Sequence, residues 1–171
     1  MLMKSTYLLT APEPEDLDFV FRIENNPVTW PLSDGHMPYS RYALRQYLLT
    51  CKNDFFAEKQ LRLMVRPSDS RQAVAIVDLF NFSPIDGRAE VGIIVAPELR
   101  GQGIGTEAVT LLCDYAGQTL GLRMLAAYVP VTNEASLRLF AKCGFERVAT
   151  LPEWSKIDSK WCDLAILRKK V

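Results

Sequence analysis

A chain of 171 residues with 49% hydrophobic side chains can close one sizeable core and is short for two, so a single domain spanning 1–171 is expected. Twenty basic residues offset twenty acidic ones with no long run of either sign, which excludes the electrostatic footprint of a nucleic-acid or anionic-membrane binder. Cys51, Cys113, Cys143 and Cys162 are scattered without C-x-x-C spacing, and His36 is the one histidine, so neither a zinc site nor a disulfide framework is indicated and no metal is expected.

Met1-Leu2-Met3-Lys4 is followed by a short apolar stretch and then by Glu13, Glu15, Asp16 and Asp18, the wrong order for a secretory signal, and no apolar run approaches membrane-spanning length. A cytoplasmic location is expected. Leu17, Val20 and Phe21 share one helical face in a segment that starts at Pro12-Glu13-Pro14 and is ended by Pro27. Ser40 caps a second helix whose Ala43, Leu44, Tyr47 and Leu48 recur at helical spacing. Leu61, Leu63 and Val65 alternate with Arg62, Met64 and Arg66 in strand fashion, and a turn at Ser68-Asp69-Ser70 leads to a strand over 73–82. Asp86-Gly87 turns the chain into a third strand, which completes an antiparallel meander.

That third strand carries the most informative motif. The apolar run Val91-Gly92-Ile93-Ile94-Val95 leads to Arg100-Gly101-Gln102-Gly103-Ile104-Gly105, a glycine loop that opens into a helix. Glycines at alternate positions let the backbone fold tightly, so that successive N–H groups and the start of a helix dipole point at one anionic group, a pyrophosphate. Ile104-Gly105-Thr106 supplies no lysine after the last glycine, which excludes a P-loop for a nucleoside triphosphate. The loose dinucleotide pattern is met, but the next strand ends at Tyr128-Val129-Pro130 without the carboxylate that a ribose requires. Beyond the loop, Ala108, Leu111, Leu112 and Tyr115 line one face of a helix stopped by Gly121. A strand over 123–129, a helix over 133–143 capped by Asn133 and stopped by Gly144, and strands over 145–151 and 161–167 complete the chain.

Arg100-Gly101-Gln102-Gly103-Ile104-Gly105 resembles motif A of the GNAT superfamily of acyl-CoA N-acyltransferases at every defined position, and Asn133-Glu134-Ala135-Ser136-Leu137-Arg138-Leu139-Phe140-Ala141-Lys142-Cys143-Gly144-Phe145 resembles its motif B. The likeness runs from about Leu17 to the end of the chain. It is strongest to the branch of spermidine acetyltransferases and ribosomal-protein N-terminal acetyltransferases. The resemblance implies an α/β (α+β) fold, a mixed central sheet of about seven strands splayed between strands 4 and 5 and flanked by about four helices. It implies acetyl-CoA as the donor. The backbone amides of Ile93, Ile94 and Val95 would then hold the pantetheine arm, Arg100, Gly101, Gln102, Gly103, Ile104, Gly105 and Thr106 the pyrophosphate, and Asn133, Ser136 and Phe140 would flank the arm from motif B.

Acetyl transfer requires a neutral amine, a polarised thioester carbonyl and a fate for the departing thiolate. An aliphatic amine has a pKa of about 10.4, so its proton must be removed at neutral pH. Glu90 shares a strand face with Gly92 and Ile94 and is similar to the glutamate that contacts the amine in the spermidine enzymes; it is expected to bind the acceptor and act as base. Asn133 is expected to combine capping with a place beside the reaction. Phe140 stands where many relatives carry a tyrosine that protonates the thiolate, and Tyr128 is a substitute hydroxyl. The resemblance implies that residues 26–40 lie over the amine end of the cleft and set acceptor specificity, with Trp30, Asp34, His36 and Tyr39 as the candidate contacts.

Two classes of function follow. The first is an N-acetyltransferase acting by direct attack in a ternary complex on a polyamine, a small amine or a protein N-terminus. The second is a non-catalytic acyl-CoA-binding or sensing module, for which Phe140 argues. Relatives are commonly dimers or larger, so a homo-oligomer is an open expectation.

Overall fold

The computed structural model describes residues 6–29 and 37–171. In chain order its elements are β1 (Tyr7–Thr10), α1 (Leu17–Glu24), α2 (Arg41–Thr50), α3 (Phe55–Glu58), β2 (Leu61–Pro67), β3 (Ala75–Ser83), β4 (Arg88–Val95), α4 (Ile104–Gln118), β5 (Met124–Pro130), α5 (Glu134–Lys142), β6 (Glu146–Ile157) and β7 (Lys160–Lys170). The strands make one seven-stranded sheet in the order β1-β2-β3-β4-β5-β7-β6. Every neighbouring pair is antiparallel except β4 and β5, which are parallel.

Two elements escaped the sequence reading. β1 is a four-residue edge strand, too short to show an alternation. α3 is a single turn, fixed by the Asp54 carboxylate, which accepts from the amides of Phe56 and Ala57 at 3.1 Å each. β6 and β7 also run further than expected, to Ile157 and from Lys160, as one long hairpin. On α4 the buried positions are Ile104, Gly105, Ala108, Val109, Leu112, Cys113 and Ala116, so the face is turned relative to the expected one and leaves Leu111 and Tyr115 only partly covered.

The pleat divides the core in two. Ala89, Val91, Ile93 and Val95 of β4 point to the layer of α4 and α5, where Ala108, Val109, Leu112, Cys113, Leu125, Ala127 and Phe140 form the larger cluster. Ile94, Ile76 and Met64 point to the opposite layer and pack under Val20, Ile23, Leu44 and Leu48 of α1 and α2.

That second layer is held by charges at matched spacing. The Arg66 guanidinium donates to the buried Asp16 carboxylate at 2.6 Å, at the start of α1, and Arg62 donates to Glu24 at 2.5 Å, at its end. Eight helical residues at about 1.5 Å each and four strand residues at about 3.3 Å each cover nearly the same distance, so α1 lies antiparallel along β2 with an ion pair at either end.

The cap expected at Ser40 is present: its hydroxyl accepts from the Ala43 amide at 3.0 Å. Just before it, the Asn25 side chain both donates to the Tyr39 carbonyl at 2.9 Å and accepts from the Tyr39 amide at 2.7 Å. This amide mimics a strand partner and closes the neck of the loop between α1 and α2. Trp30, Asp34 and His36 lie outside the described residues.

Candidate active site

The parallel ladder between β4 and β5 stops early. Its pairs are Arg88 with Met124, Ala89 with Leu125 and Glu90 with Ala126, while β4 continues beside β3 as far as Val95 and β5 beside β7 as far as Pro130. Beyond Glu90 the two central strands therefore part, and a cleft opens in the middle of the sheet.

The register fixes which groups face that cleft. The Ala96 amide donates to the Val74 carbonyl on the β3 side at 3.0 Å, so by alternation the amides of Ile94, Gly92 and Glu90 also point to β3. Those of Ile93 and Val95 point to the open side, while that of Val91 is taken up by the last pair of the parallel ladder. The sequence reading grouped Ile94 with Ile93 and Val95; the ladder corrects this, because the Ile94 amide faces β3. The open side is an unpaired strand edge inside a sheet, which accepts an extended ligand as a further strand.

At the mouth of the cleft the loop is anchored at its base and bare at its tip. Arg100 Nε donates to the Val95 carbonyl at 3.3 Å, and Glu98 pairs with Arg22 of α1, whose hydrogen bond holds the Glu98 carboxyl below its ordinary pKa. Gly101 and Gly103 have φ of +79° and +84°, and a Cβ at either would meet nothing within 4 Å. Glycine is thus required there by conformation, and the space beyond is open. The first helical bond of α4 runs from Glu107 to Gly103 at 3.2 Å, so the amides of Ile104, Gly105 and Thr106 have no intrahelical acceptor and no side chain caps them. Gly105 has a different reason: a Cβ there would fall 2.5 Å from Leu139 of α5 and 3.4 Å from Val95 of β4, so its bare backbone lets α4 start tight against both.

Motif B is a helix terminated by a Schellman turn. The Phe145 amide donates to the Phe140 carbonyl and the Gly144 amide to Ala141, each at 3.0 Å, with Gly144 at φ +83°. The hydrophobic contact that accompanies such turns is Phe140 on Phe145, edge to face at 5.0 Å, and it leaves Phe140 only 3% exposed. The sequence reading set Phe140 beside the pantetheine; its ring instead belongs to the core. At the other end of α5 the Asn133 side chain accepts from the Ser136 amide at 3.2 Å, which uses the amide oxygen and leaves the Nδ2 hydrogens unused by the cap.

The opposite face of the cleft is made of side chains. Glu90, half-buried, is the last residue of the parallel ladder and lies in one cross-strand row with Phe80 and Ala126. Next to it Gly92 pairs with Asp78, and a Cβ on Gly92 would come within 3.3 Å of the Phe80 ring and 3.6 Å of Asp78 Cβ. Asp78 is gripped by Arg62 through two parallel bonds, Nε to Oδ1 at 2.8 Å and Nη2 to Oδ2 at 3.0 Å, while Arg62 also holds Glu24. Burial alone would lower the Arg62 pKa; the attraction of Asp78 and Glu24 outweighs it and holds the guanidinium well above its ordinary value. Burial raises the Tyr47 phenol, which lies in the field of the same arginine. The sequence reading took Arg62 as the outward side of an alternation and passed over Asp78; an acid within Ala75-Ile76-Val77-Asp78-Leu79-Phe80 was the available signal.

An open strand edge leading to uncapped helix amides can receive an extended ligand with an anionic group at its end. The acetyltransferase (GNAT) domain family matches residues 7–146, and the chain belongs to that family, whose members are N-acetyltransferases that draw on acetyl-CoA. The spermidine N(1)-acetyltransferase of Vibrio cholerae is 26% identical over 164 residues, 95% of this chain and 91% of the relative. A crystal structure of the V. cholerae enzyme in complex with CoA and spermine aligns with a TM-score of 0.86 and 25% identity, over 98% of this chain and 96% of that one. Human alpha/beta-tubulin-N-acetyltransferase 9 is 47% identical over a shorter stretch of 64 residues, 37% of this chain and 30% of the relative.

Proposed function

We propose that residues 1–171 form a single-domain, cytoplasmic enzyme that transfers acetyl from acetyl-CoA to a primary amine by direct attack in a ternary complex, with a polyamine as the first acceptor class. The observation that carries this reading is the early end of the β4–β5 ladder, with uncapped α4 amides at its mouth and Glu90 at its base. The pyrophosphate would rest on the backbone of residues 100–106, and the arm along the Ile93 and Val95 amides. Those amides are rigid donors aimed at the arm and its thioester carbonyl. Glu90 would accept the ammonium proton, directly or through water, and the Asn133 Nδ2 would contact the arm from α5.

The spermidine N-acetyltransferases among the relatives support a polyamine acceptor. The 47% stretch shared with a tubulin N-acetyltransferase favours a protein amine as the second class. The dodecameric V. cholerae enzyme supports an oligomer.

The test is thiol release from acetyl-CoA with spermidine, spermine, amino acids and N-terminal peptides, run beside calorimetry with CoA. Glu90→Gln is expected to lower turnover by about a hundredfold or more while CoA binding persists. Full turnover in that variant would remove Glu90 as base. CoA binding without turnover on any acceptor would make the chain an acyl-CoA-binding module instead.

A further inference from the structure

A thioester transfer needs a proton for the departing sulfur, and the motif B position that would supply it is the buried Phe140, which has no hydroxyl. Six tyrosines are present in the chain. Tyr7 is on the far edge strand, Tyr39 and Tyr42 stand near the start of α2, Tyr115 is on α4, and Tyr47 is beside Arg62. Tyr128 is on β5, just past the point where it parts from β4.

Three observations single it out. Tyr128 follows Ala126 by two residues on β5, just past the last ladder pair, so it stands on the unpaired side of the cleft opposite Gly92. Two residues along a strand keep the same face, so its ring lies on the face that Glu90 shares with Ala126. It is 44% exposed on a central strand whose neighbouring positions Ala127 and Val129 are 1% and 3% exposed, and among the described residues no hydrogen bond engages its hydroxyl. A large amphipathic ring left open in mid-sheet, with its polar tip unused, is a group held toward a ligand.

We infer that Tyr128 is the general acid of this site, on the far wall from Glu90; the inference rests on the N-acetyltransferase reading above. Once the ammonium proton has passed through Glu90 to solvent, the neutral amine nitrogen bonds to the acetyl carbon and the carbonyl π pair moves to oxygen. Glu90 takes the second nitrogen proton, and the oxyanion then re-forms the carbonyl. The carbon–sulfur bond then breaks, its electron pair stays on sulfur, and the Tyr128 hydroxyl gives its proton to that sulfur. Solvent returns a proton to the phenolate, and the proton on Glu90 returns to solvent. A phenolic hydroxyl can hydrogen-bond to the departing sulfur and pass its proton across as the carbon–sulfur bond lengthens.

The variants are Tyr128→Phe and Tyr128→Ala, and the readouts are turnover and calorimetric binding of CoA and of desulfo-CoA, which lacks the sulfur. Tyr128→Phe is expected to lower kcat by about a hundredfold with the KM for acetyl-CoA within about twofold. Wild-type protein should bind CoA severalfold tighter than desulfo-CoA, and Tyr128→Phe should lose that preference. Tyr128→Phe with wild-type kcat and an unchanged preference overturns the proposal, and a defect confined to Tyr128→Ala assigns the ring a stacking role instead. A wild-type protein that binds CoA but turns over no amine sinks the transferase reading separately, and the sulfur preference still decides whether Tyr128 touches the thiol.

Discussion

The two sides of the cleft are built from different materials. The side proposed for acetyl-CoA is backbone: the open edge of β4, the bare amides of α4, and glycines whose φ or missing Cβ the fold requires. The side proposed for the acceptor is side chains: Glu90, Asp78 gripped by Arg62, and Glu24. Backbone can serve one invariant ligand and is insensitive to most substitutions. A side-chain wall can be rewritten residue by residue, which suits the part of a site that must discriminate.

The comparison can be broken from either side, and the largest effect is expected in the scaffold of the acceptor wall. Asp16→Ala leaves the largely covered Arg66 guanidinium without its carboxylate, with Thr10 and the Arg71 carbonyl still accepting from it, and should lower the unfolding free energy by about 3 kcal/mol, read by urea denaturation. CoA affinity of the molecules that remain folded should be unchanged. On the other side, Gly103→Ala places a side chain in open space but at a φ of +84°, so about 1–2 kcal/mol of backbone strain is expected with no clash. Its signature is a loss of CoA affinity by about tenfold in calorimetry, with acceptor KM unmoved.

Gly92→Ala sharpens the contrast, since this glycine has an ordinary φ and is short of room instead. The new methyl presses on Phe80 and Asp78, and steady-state kinetics should show acceptor KM raised severalfold while the KM for acetyl-CoA holds. The smallest effect belongs to neither wall. Burial pushes the Cys113 thiol up to about 11, and Cys143 and Cys51 are raised by the same cause, so the buried Cys113 and Cys143 should react slowest with a thiol reagent at pH 8 and the half-buried Cys162 first, ahead of Cys51. Cys113 keeps its proton in the folded state at a pH where the unfolded thiol has lost it. Its contribution to stability therefore falls as pH rises from about 9 to about 11, seen as a declining thermal midpoint.

The same division explains what could be read from the chain. Gly101, Gly103 and Gly144 are conformational necessities, and such positions leave a spacing that survives without coordinates. The order of strands and helices from Leu61 onward was legible for a similar reason, because turn residues and periodicity are local. The Arg62 clamp was not legible: it joins α1, β2 and β3 across 38 and 16 residues of sequence, and no local pattern records such a meeting. Phe140 misled for the converse reason. Its place in motif B identified the helix, while the Schellman contact with Phe145 decided where the ring went. Ile94 was grouped with its neighbours because strand parity is invisible until one hydrogen bond, here Ala96 to Val74, sets it.

The early end of the β4–β5 ladder also bears on the lifetime of the protein. A strand edge exposed in mid-sheet is a template for pairing with another chain, and proteins usually cover or charge such edges. Here acetyl-CoA would be the cover. A ligand that binds only the folded state stabilises it by about 2.7 kcal/mol at a hundred times its Kd, so the metabolic supply of the acetyl donor would govern how much of the enzyme survives as well as how fast it works.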